Sequence, residues 1–335
     1  MRAWQVTKEG IDNLTCVDLP DPQPGPGEIC MRVKATSLNY RDFMTVKTGG
    51  MGGLTKPLIP LSDGAGEVVA IGDGVTRVQT GDRVAGIFFQ SWLSGGPNAS
   101  HGQSALGGAL DGTWAEHVVL HENGVVKMPG YMSYEDAATL PCAAVTAWQD
   151  LVTVGHMKAG DTILVMGTGG VSIFALQFAK AAGAQVIITS SSDAKLERAK
   201  QLGADHLINY KTTPAWGKAV LDITNGVGVD HVVEVGGAGT LEQSFQAVRA
   251  GGFIGLIGVL TGFAGQVNPM PVLQKSIHLQ GIYVGSRDMF DDMNTAMEIN
   301  QIKPVIDKVY PFEQAQDALR CMEAATHFGK IVVTG

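Results

Sequence analysis

Thr162-Ile-Leu-Val-Met-Gly-Thr-Gly-Gly-Val-Ser172 passes from apolar residues into glycines, and a helical pattern follows it as far as Lys180. This order predicts a strand, a tight turn and a helix. Gly167 can adopt the turn conformation, Gly169 lets a pyrophosphate approach the backbone, and a helix beginning near Gly170 directs unpaired N–H groups at that anion. The stretch therefore predicts a dinucleotide site. Its candidate cofactor contacts are Gly167, Thr168, Gly169, Gly170 and Val171.

The glycine spacing alone is weak evidence, because Ser172 stands at the third glycine position and an ordinary glycine-containing turn shows a similar pattern. The residues that follow favour the nucleotide site. A second predicted strand, residues 184–189, ends at the distance at which a ribose contact is expected, and a further predicted helix covers residues 194–202.

The end of this second strand indicates which dinucleotide is bound. An NAD(H) site places a carboxylate there, which accepts from the ribose 2′-hydroxyl and repels a 2′-phosphate. This chain has Ser190-Ser191-Ser192 and then Lys195, so hydroxyls and an ammonium can donate to a phosphate. We therefore predict NADP(H) rather than NAD(H), with Ser190, Ser191 and Lys195 as contacts. Two alternatives stay open: Ser192 or Asp193 caps the helix, or Asp193 is a ribose ligand.

Composition indicates a soluble enzyme that acts on small molecules. The 335 residues correspond to about two domains, and 45% hydrophobic residues are enough for two cores. A net charge of −8, from 24 basic and 32 acidic side chains, gives no basis for binding nucleic acid or a membrane surface. The N-terminus lacks signal-peptide character and the apolar runs are too short to span a bilayer, so we expect a cytoplasmic protein. The cysteines lack CxxC spacing, which argues against disulfides and a zinc ribbon.

The hydrophobic pattern divides the chain into two kinds of structure. Up to about residue 130 it predicts short strands joined by turns, with a long Gly- and Ser-rich loop over residues 88–111. From Tyr134 onwards helical and strand patterns alternate, which is typical of a parallel, doubly wound sheet. Two helical patterns, near residues 289–300 and 312–324, and a last strand at residues 329–334 follow it.

Several further motifs resemble those of one enzyme family. They are Asn39-Tyr40-Arg41-Asp42, Gly64-Ala-Gly-Glu-Val-Val69, Gly81-Asp-Arg-Val84 and Leu140-Pro-Cys-Ala-Ala-Val-Thr-Ala-Trp148. Together with the nucleotide loop, they identify the chain as a member of the medium-chain dehydrogenase/reductase superfamily over essentially its full length. The resemblance implies an α/β fold, in which a Rossmann doubly wound parallel sheet accompanies an N-terminal chaperonin-10-like (GroES-like) β-barrel domain.

The resemblance also implies a domain organisation and an assembly. The GroES-like catalytic domain is expected at residues 1–130 and the Rossmann NADP(H)-binding domain at residues 131–284. Residues 285–335 are expected to return to the catalytic domain, with the cofactor in the cleft between the domains. A homodimer is expected, in which residues 267–284 continue the sheet across a twofold axis.

The metal ligands of the zinc-dependent members distinguish the branches of this superfamily. Their catalytic zinc is held by a cysteine, a histidine and a third cysteine or acidic residue; the corresponding positions here are Asn39, Ser62 and Cys142. One ligand of three remains, which makes a poor tetrahedral site. Residues 88–111, where the structural zinc lobe is expected, contain no cysteine. We therefore predict no metal site, and we predict that Cys142 is a core or pocket-lining residue rather than a nucleophile.

Without a zinc ion to act as a Lewis acid, hydrogen bonds alone must stabilise the negative charge that develops on the substrate. This requirement predicts the class of reaction. Hydride addition to a quinone or to the β-carbon of an enone fits, since the charge spreads over a conjugated oxygen. The Asn-x-x-Asp pattern of Asn39 and Asp42 is similar to that of the zinc-free quinone oxidoreductase and enoyl reductase branches. The catalytic candidates are Asn39, Tyr40 and Arg41, of which the phenol and the guanidinium can donate to an enolate. Alternatively, Arg41 pairs with Asp42 and Tyr40 is a packing residue.

The resemblance implies further cofactor contacts. Thr146 corresponds to the threonine beside the nicotinamide, and Tyr210 to the tyrosine that reaches the adenosine phosphate in the NADPH-using branch. Lys330 is expected near the pyrophosphate. Backbone groups at strand ends are expected to meet the ribose and the carboxamide, at Val235, Gly236, Ile257, Gly258 and Val259. The alternatives are helix capping for Thr146, turn geometry for the glycines, packing for Tyr210 and a solvated strand end for Lys330.

The sequence thus predicts an NADPH-dependent, zinc-free oxidoreductase that transfers hydride to a quinone or an α,β-unsaturated carbonyl. Two alternatives stay open. One is an alcohol dehydrogenase or aldehyde reductase of the same superfamily, which would need a metal or another acid. The other is an NADPH-binding sensor or structural protein with little turnover.

Overall fold

The computed structural model describes residues 1–50, 53–262 and 264–335. In chain order, its strands are β1 Arg2–Val6, β2 Leu14–Asp18, β3 Glu28–Leu38, β4 Asp63–Ile71, β5 Arg83–Gly86, β6 His117–His121, β7 Val125–Lys127, β8 Thr162–Met166, β9 Gln185–Ser190, β10 His206–Asn209, β11 Val229–Glu234, β12 Val248–Leu256, β13 His278–Gly281, β14 Ile306–Pro311 and β15 Lys330–Thr334. Its α-helices are α1 Tyr40–Thr48, α2 Tyr134–Ala138, α3 Val145–Trp148, α4 Gly170–Ala181, α5 Asp193–Gln201, α6 Trp216–Ile223, α7 Leu241–Ala247, α8 Met270–Gln274, α9 Arg287–Asn300 and α10 Ala315–Glu323. Wider helical turns of the π type cover Leu140–Ala144 and Gln149–Val154, and 3₁₀ turns cover Ile11–Asn13, His101–Ser104, Glu122–Gly124 and Phe312–Gln314. Each helix in the described ranges is too short or too polar to traverse a bilayer.

The described chain divides into two compact units, the first of Met1–Val145 with Val284–Gly335 and the second of Thr146–Tyr283. The predicted boundary at residue 130 falls before α2 and the π-type turn that follows it. Both elements belong to the first unit, because α2 contacts β3 and β4, and the Cys142 backbone N–H donates to the Asp63 carboxylate over 3.3 Å.

A seven-stranded sheet organises the first unit. Its order is β14-β15-β3-β4-β5-β7, and β6 is also paired with β3. Neighbouring strands are antiparallel, except that β14 and β15 run parallel. The last strands of the chain therefore complete the sheet that its N-terminal part begins. Consequently β15 is an interior strand, and its first residue, Lys330, is 3% exposed.

A six-stranded parallel sheet organises the second unit, in the order β10-β9-β8-β11-β12-β13. Its central strand β8 is an almost continuous apolar run, as expected for a strand covered on both faces; Ile163, Leu164 and Val165 of β8 are fully buried. The chain proceeds outward in one direction from β8 to β10 and in the opposite direction from β11 to β13. Such a reversal opens a crevice at the carboxyl ends of β8 and β11, where doubly wound sheets bind ligands. The predicted Rossmann-type sheet is confirmed.

Some segments differ from the hydrophobic pattern. Strand β12 begins at Val248 and continues through the pair Gly251-Gly252, although glycines inside a strand usually weaken it. The short strands β10 and β14 and the polar helix α1 were not predicted. Residues 88–111, predicted as a loop, are held by a buried aromatic group, since Phe88, Phe89 and Trp92 are at most 2% exposed.

Asp150 is a buried carboxyl group of the second unit. It is 1% exposed, and within the described residues its Oδ1 has no hydrogen-bond partner. A Cβ placed on Gly255 would lie 1.5 Å from this oxygen, so the carboxyl group packs directly on the glycine backbone. Burial raises the pKa of Asp150 well above its ordinary value.

The Asp150→Asn variant is expected to be more stable than the wild type at neutral and alkaline pH. An unfolded aspartate ionises near pH 4, whereas native Asp150 stays protonated, so wild-type stability falls by about 1.4 kcal/mol per pH unit between the two pKa values. Asparagine does not ionise in the unfolded chain, so the variant does not lose stability in this way as the pH rises. Urea midpoints at about pH 5 and about pH 8 check the prediction: the advantage of the variant should grow with pH, and a constant difference would contradict it.

Candidate active site

The turn between β8 and α4 has the backbone geometry that an anion site requires. Gly167 has a φ of 73°, in the left-handed region that favours glycine. Gly169 precedes α4, and a Cβ placed on it would find no atom within 4 Å. The first N–H groups of this helix lack intrahelical partners and carry a partial positive charge. The pyrophosphate of a dinucleotide therefore fits here, and Thr168, Gly170 and Val171 complete the predicted set of contacts.

Ser172 explains how this turn is built without a third glycine. Its side chain is 2% exposed, and its hydroxyl donates to the Met166 carbonyl over 2.6 Å. The bond ties the first turn of α4 to the end of β8, which provides the close helix–strand packing that a third glycine usually allows. The departure from the glycine spacing therefore leaves the turn intact.

The residues predicted to bind a 2′-phosphate meet at the end of β9. The Tyr210 backbone N–H donates to the Ser190 carbonyl over 3.1 Å, and Tyr210 is 42% exposed. Ser190 is buried, and its Oγ accepts from the Ser192 N–H. Ser191 is partly exposed beside it, and Lys195 lies in the first turn of α5. Of the three serines, Ser191 is the one best placed to donate to a phosphate.

The start of α5 settles the capping alternative. Ser192 is the N-cap, and its Oγ accepts from the Lys195 N–H over 3.4 Å. Asp193 is the first residue of the helix, and its Oδ1 accepts from Asn209 Nδ2 over 2.7 Å. Capping by Ser192 is confirmed. The Asp193 Oδ1 atom has an amide on β10 as its partner, and the alternative of a ribose contact stays a prediction.

Glu234 is a buried carboxylate that the sequence analysis missed. It ends β11, and its Oε1 accepts from the N–H groups of Gly236 over 2.7 Å and Gly237 over 3.1 Å. The same oxygen accepts from the Thr240 hydroxyl over 2.7 Å, and Oε2 accepts from Ser244 Oγ. Glu234 therefore fixes the turn that contains the predicted contact Gly236. A signal was present in the sequence, since an acidic residue ends an otherwise largely apolar segment and Val235 alone separates it from two glycines.

The turn after β12 packs against the turn that Glu234 fixes. The N–H groups of Ile257 and Gly258 donate to the Glu234 carbonyl over 2.8 and 3.2 Å. A Cβ on Gly258 would lie 2.2 Å from the Val235 carbonyl oxygen, so only glycine fits there. The structure thus brings together the predicted contacts Val235, Gly236, Ile257, Gly258 and Val259. Thr146, in α3, is 3% exposed, and its place beside the nicotinamide stays a prediction.

Five residues from distant parts of the sequence meet in the interior of the first unit. This polar cluster consists of Asn39, Ser62, Asp63, Cys142 and Lys330. Asp63 is its central acceptor, because Ser62 Oγ donates to Oδ1 over 2.7 Å and the Cys142 N–H donates to Oδ2 over 3.3 Å. Asn39 Nδ2 contacts Ser62 Oγ at 3.5 Å. Ser62 and Asp63 are fully buried and Asn39 is 9% exposed, so water is almost excluded from these groups.

Lys330 supplies the positive charge of the polar cluster. Its Nζ donates to the Leu38 carbonyl over 2.9 Å and to Asn39 Oδ1 over 2.6 Å, and Asp63 Oδ2 lies 3.6 Å away. The alternative of a solvated strand end is wrong, because Lys330 begins an interior strand and is 3% exposed. These protein partners also give no support to the predicted pyrophosphate contact.

Arg41 and Asp42 have structural partners around the start of α1. Arg41 Nη1 donates to Asp42 Oδ1 over 2.9 Å and to the carbonyls of Leu106 and Gly107 over 2.7 and 2.9 Å. The pairing of Arg41 with Asp42 is confirmed. Asp42 is fully buried, and burial raises its pKa even though the Arg41 guanidinium acts in the opposite direction. Its Oδ2 accepts from the Asn39 N–H over 3.0 Å, so the pair holds the main chain of Asn39 in place.

Tyr40 lies on the exposed side of α1. It is 42% exposed, and its ring packs beside that of Phe43 at a centroid distance of 5.9 Å. Packing against Phe43 therefore leaves much of the side chain accessible. A catalytic role for Tyr40 stays a prediction.

The donor set of the polar cluster does not suit a catalytic zinc ion. The three positions expected to correspond to zinc ligands offer an amide, a hydroxyl and a thiol, at Asn39, Ser62 and Cys142. Burial, reinforced by Asp63, raises the pKa of the Cys142 thiol far above its usual value despite the nearby Lys330, so the metal-free protein holds a neutral thiol here. The Asn39 amide oxygen is bound to an ammonium instead. Nowhere in the described ranges do three His, Cys, Asp or Glu side chains form a possible metal group.

Two protein families match this chain. The alcohol dehydrogenase GroES-like domain matches residues 25–130, and the zinc-binding dehydrogenase family matches residues 170–299. The first match confirms the predicted class of the N-terminal domain. A zinc-type alcohol dehydrogenase-like protein of Schizosaccharomyces pombe is 45% identical, over 97% of this chain and 96% of its own length.

Three solved structures are similar over all of both chains. A putative alcohol dehydrogenase from Sinorhizobium meliloti 1021 has a TM-score of 0.91 at 43% identity. An NAD-dependent alcohol dehydrogenase has a TM-score of 0.91 at 36% identity. A mycobacterial protein complexed with NADPH has a TM-score of 0.83 at 27% identity.

Proposed function

The chain belongs to the medium-chain dehydrogenase/reductase superfamily and is an NAD(P)(H)-dependent oxidoreductase. From this premise we propose that it is a zinc-independent reductase that transfers hydride from NADPH to a quinone or an α,β-unsaturated carbonyl. The composition of the polar cluster carries the proposal, because an amide bound to an ammonium stands where zinc ligands were expected. An alcohol dehydrogenase is the second candidate, favoured by the names of the similar proteins. No finding favours a sensor or structural protein.

The second unit supplies the residues that would hold the dinucleotide, which contributes the hydride when bound. The glycine turn suits the pyrophosphate, since Gly167 has the required φ and the space beside Gly169 is open. The turns tied to Glu234 follow the carboxyl ends of β11 and β12, the edge of a doubly wound sheet at which ligands bind. These residues bind and orient the cofactor, and the chemistry at the acceptor depends on groups of the first unit.

Asn39 is the proposed donor to the oxygen of the acceptor. Conjugate addition places negative charge on the carbonyl oxygen of a quinone or enone. The Asn39 amide carries two N–H groups, and its one acceptor among the described residues is Ser62 Oγ at 3.5 Å, so an N–H remains for that oxygen. A neutral donor suffices where conjugation spreads the charge, whereas the alkoxide formed from a simple aldehyde concentrates it on one oxygen. The amide therefore supports the conjugated acceptors over the alcohol dehydrogenase alternative.

The preference for NADPH is proposed from the end of β9. Its candidate groups are hydroxyls, an ammonium and a phenol, and the nearest carboxylate, Asp193, is bound to Asn209. The Ser191→Asp variant is expected to lower kcat/KM with NADPH by about 10²-fold, because the new carboxylate repels the 2′-phosphate. Activity with NADH should be kept or increased, since the carboxylate can accept from the 2′-hydroxyl.

Steady-state rates with both cofactors test this change, and Ser191→Ala serves as the matched control. Alanine removes the hydroxyl without adding charge, so it should weaken the use of NADPH and bring no gain with NADH. An unaltered ratio of the two cofactors in Ser191→Asp would place the 2′-phosphate elsewhere.

The proposed function is tested with protein treated with EDTA and shown by metal analysis to lack zinc. Oxidation of NADPH and NADH is followed with a panel of quinones, enones, enals and saturated aldehydes. Turnover of the conjugated acceptors with NADPH supports the proposal. Activity on saturated aldehydes alone, lost with EDTA and restored by zinc, would replace it with the alcohol dehydrogenase alternative.

A homodimer is proposed from the exposed edge of the six-stranded sheet. Strand β13 ends the sheet, and each of its residues is exposed. Apolar side chains lie exposed on and around this edge, at Val267, Met270, Leu273, Leu279 and Tyr283. A second copy that pairs its own β13 here would satisfy the strand edge and cover these side chains.

The Leu279→Arg variant is therefore expected to sediment as a monomer, whereas the wild type sediments at about twice the 35.2 kDa chain mass. Analytical ultracentrifugation measures both. Ile299→Arg is the control, because Ile299 is 77% exposed on α9 of the first unit. A monomeric wild type, or dissociation by Ile299→Arg and not by Leu279→Arg, would contradict this interface.

A further inference from the structure

We propose that Lys330 is a positioning residue for the reduction, which holds the Asn39 amide so that its Nδ2 group faces the acceptor oxygen. This inference rests on the proposed function, because it explains how Asn39 becomes a directed donor. The family resemblance implies that Lys330 contacts the pyrophosphate, but the contacts of its ammonium indicate a different role.

The chemistry of the ammonium fixes the orientation of the amide. An ammonium group carries three donors and no acceptor, so the atom of Asn39 that it contacts at 2.6 Å must be the amide oxygen. This assignment holds however the two ends of an asparagine amide are first placed. With Oδ1 turned to Lys330, Nδ2 is turned away from it. The reverse orientation would set N–H donors against a buried cation.

The ammonium itself cannot turn to another partner. Besides Asn39 Oδ1, it donates to the Leu38 carbonyl over 2.9 Å, and the Asp63 carboxylate lies at 3.6 Å as its counter-charge. Lys330 and Asp63 are 3% and 0% exposed, so water cannot replace these groups. Asp63 is held in turn by Ser62. The position of the ammonium is thus determined by the protein interior.

The same contact increases the donor strength of Asn39. A cation at the amide oxygen withdraws electron density from the amide and makes its N–H groups better donors, and the near-exclusion of water from the pair reinforces the effect. The contact from Nδ2 to Ser62 Oγ is long, at 3.5 Å, and uses one of the two hydrogens. Lys330 therefore acts on the reacting oxygen through Asn39, without touching the acceptor.

The experiment is a double-mutant cycle between Lys330 and Asn39. The variants are Lys330→Met, Lys330→Arg, Asn39→Ala and the double variant Lys330→Met/Asn39→Ala. Lys275→Met is the matched control, because its ammonium also donates to several carbonyls, those of Phe245, Gln246 and Val248, but on the second unit. For each protein we measure kcat and KM for the acceptor, Kd for NADPH and the thermal midpoint.

Lys330→Met is expected to lower kcat by about 10²-fold in the wild type, as loss of one aligned oxyanion donor does. In the Asn39→Ala background the same change should cost less than about twofold, since the group through which Lys330 acts is gone. Lys330→Arg, which keeps a charged donor, should recover part of kcat, and it replaces Lys330→Met in the cycle if that variant does not fold. Lys275→Met should leave kcat unaltered whatever its effect on the thermal midpoint.

The proposal would be overturned if the fold-loss of kcat in the double variant equalled the product of the fold-losses in Lys330→Met and Asn39→Ala, because the two residues would then act independently. A rise in Kd for NADPH that accounts for the lost activity would overturn it as well, and would return Lys330 to the pyrophosphate. Failure of the proposed function looks different, since the wild type itself would then reduce neither quinones nor enones.

If the wild type reduces neither acceptor, the role of Lys330 can still be tested by a measurement that needs no turnover. Selective ¹⁵N labelling of asparagine, with Asn39→Ala to assign the signal, reports the Asn39 side-chain amide directly by NMR. The Asn39 NH₂ protons should exchange slowly in the wild type, rapidly in Lys330→Met and at an intermediate rate in Lys330→Arg, with no change in Lys275→Met. Equal exchange in all four proteins would show that Lys330 does not hold the amide.

Discussion

Replacing Glu234 with Ala is expected to raise Kd for NADPH by at least about tenfold and to destabilise the second unit by about 4 kcal/mol. The carboxylate accepts from two backbone N–H groups and two hydroxyls, of which the two N–H groups and the Ser244 hydroxyl are left buried without this acceptor. Each such loss costs about 1–3 kcal/mol, less where a hydroxyl can turn to a new partner. The turn at Gly236 then loses its fixed shape. Cofactor fluorescence titration and urea unfolding measure the two effects.

Glu234→Gln is the control for this prediction. Glutamine keeps Oε1 for the N–H groups of Gly236 and Gly237, and its NH₂ can donate to the Ser244 hydroxyl after that hydroxyl turns. We expect less than about one third of the stability loss of Glu234→Ala and a small change in Kd. Equal losses in the two variants would mean that negative charge, rather than hydrogen bonding to the turn, is what Glu234 provides.

Replacing Asn39 with Ala is expected to lower kcat/KM for the acceptor by about 10²-fold while Kd for NADPH stays within about twofold. In the proposed reaction the Nδ2 group stabilises the negative charge that develops on the acceptor oxygen. Loss of the amide should therefore slow hydride transfer more than it weakens the binding of NADPH. The substitution also removes the N-cap side chain of α1, which costs about 1 kcal/mol, but it keeps the bond from the Asn39 backbone N–H to Asp42. Stopped-flow hydride transfer under single-turnover conditions measures the chemical step directly.

Asn39→Asp is the matched variant for Asn39→Ala. It preserves size and the contact with Lys330, but it removes the donor and adds negative charge where negative charge develops. We expect a rate at or below that of Asn39→Ala. A rate near the wild type in either variant would show that the acceptor oxygen is bound by another group, for which the Tyr40 hydroxyl is the first candidate.

The nucleotide side could be predicted because its chemistry is local in the sequence. Strand, glycine turn and helix follow one another within residues 162–181, and the serines at the end of the next strand are again contiguous. Backbone geometry dictates such a site, and Gly167 and Gly169 report that geometry directly. Glu234 was missed because its partners are backbone N–H groups, which no side-chain pattern records, although its place before two glycines was visible.

The polar cluster could not be derived in the same way. Asn39 was predicted from its motif, but Asp63 and Lys330 reach it only through the sheet, in which β15 and β4 both pair with β3. Lys330 shows the difficulty most clearly. A lysine after Gly329 at the start of the last strand resembles a solvated end, and nothing nearby in the sequence shows that this strand lies between two others. The sequence showed which polar side chains are present, but the strand order of the sheet determines which of them come into contact.

The central claim is hydride transfer to a conjugated acceptor without zinc, and isotope transfer tests it most directly. Zinc-free protein is incubated with an enone and NADPH that carries deuterium at the transferable position, and the product is analysed by NMR. We predict deuterium at the β-carbon of a saturated ketone. Deuterium at the carbonyl carbon of an allylic alcohol, or product formation only after zinc is added, would contradict the account and identify an alcohol dehydrogenase.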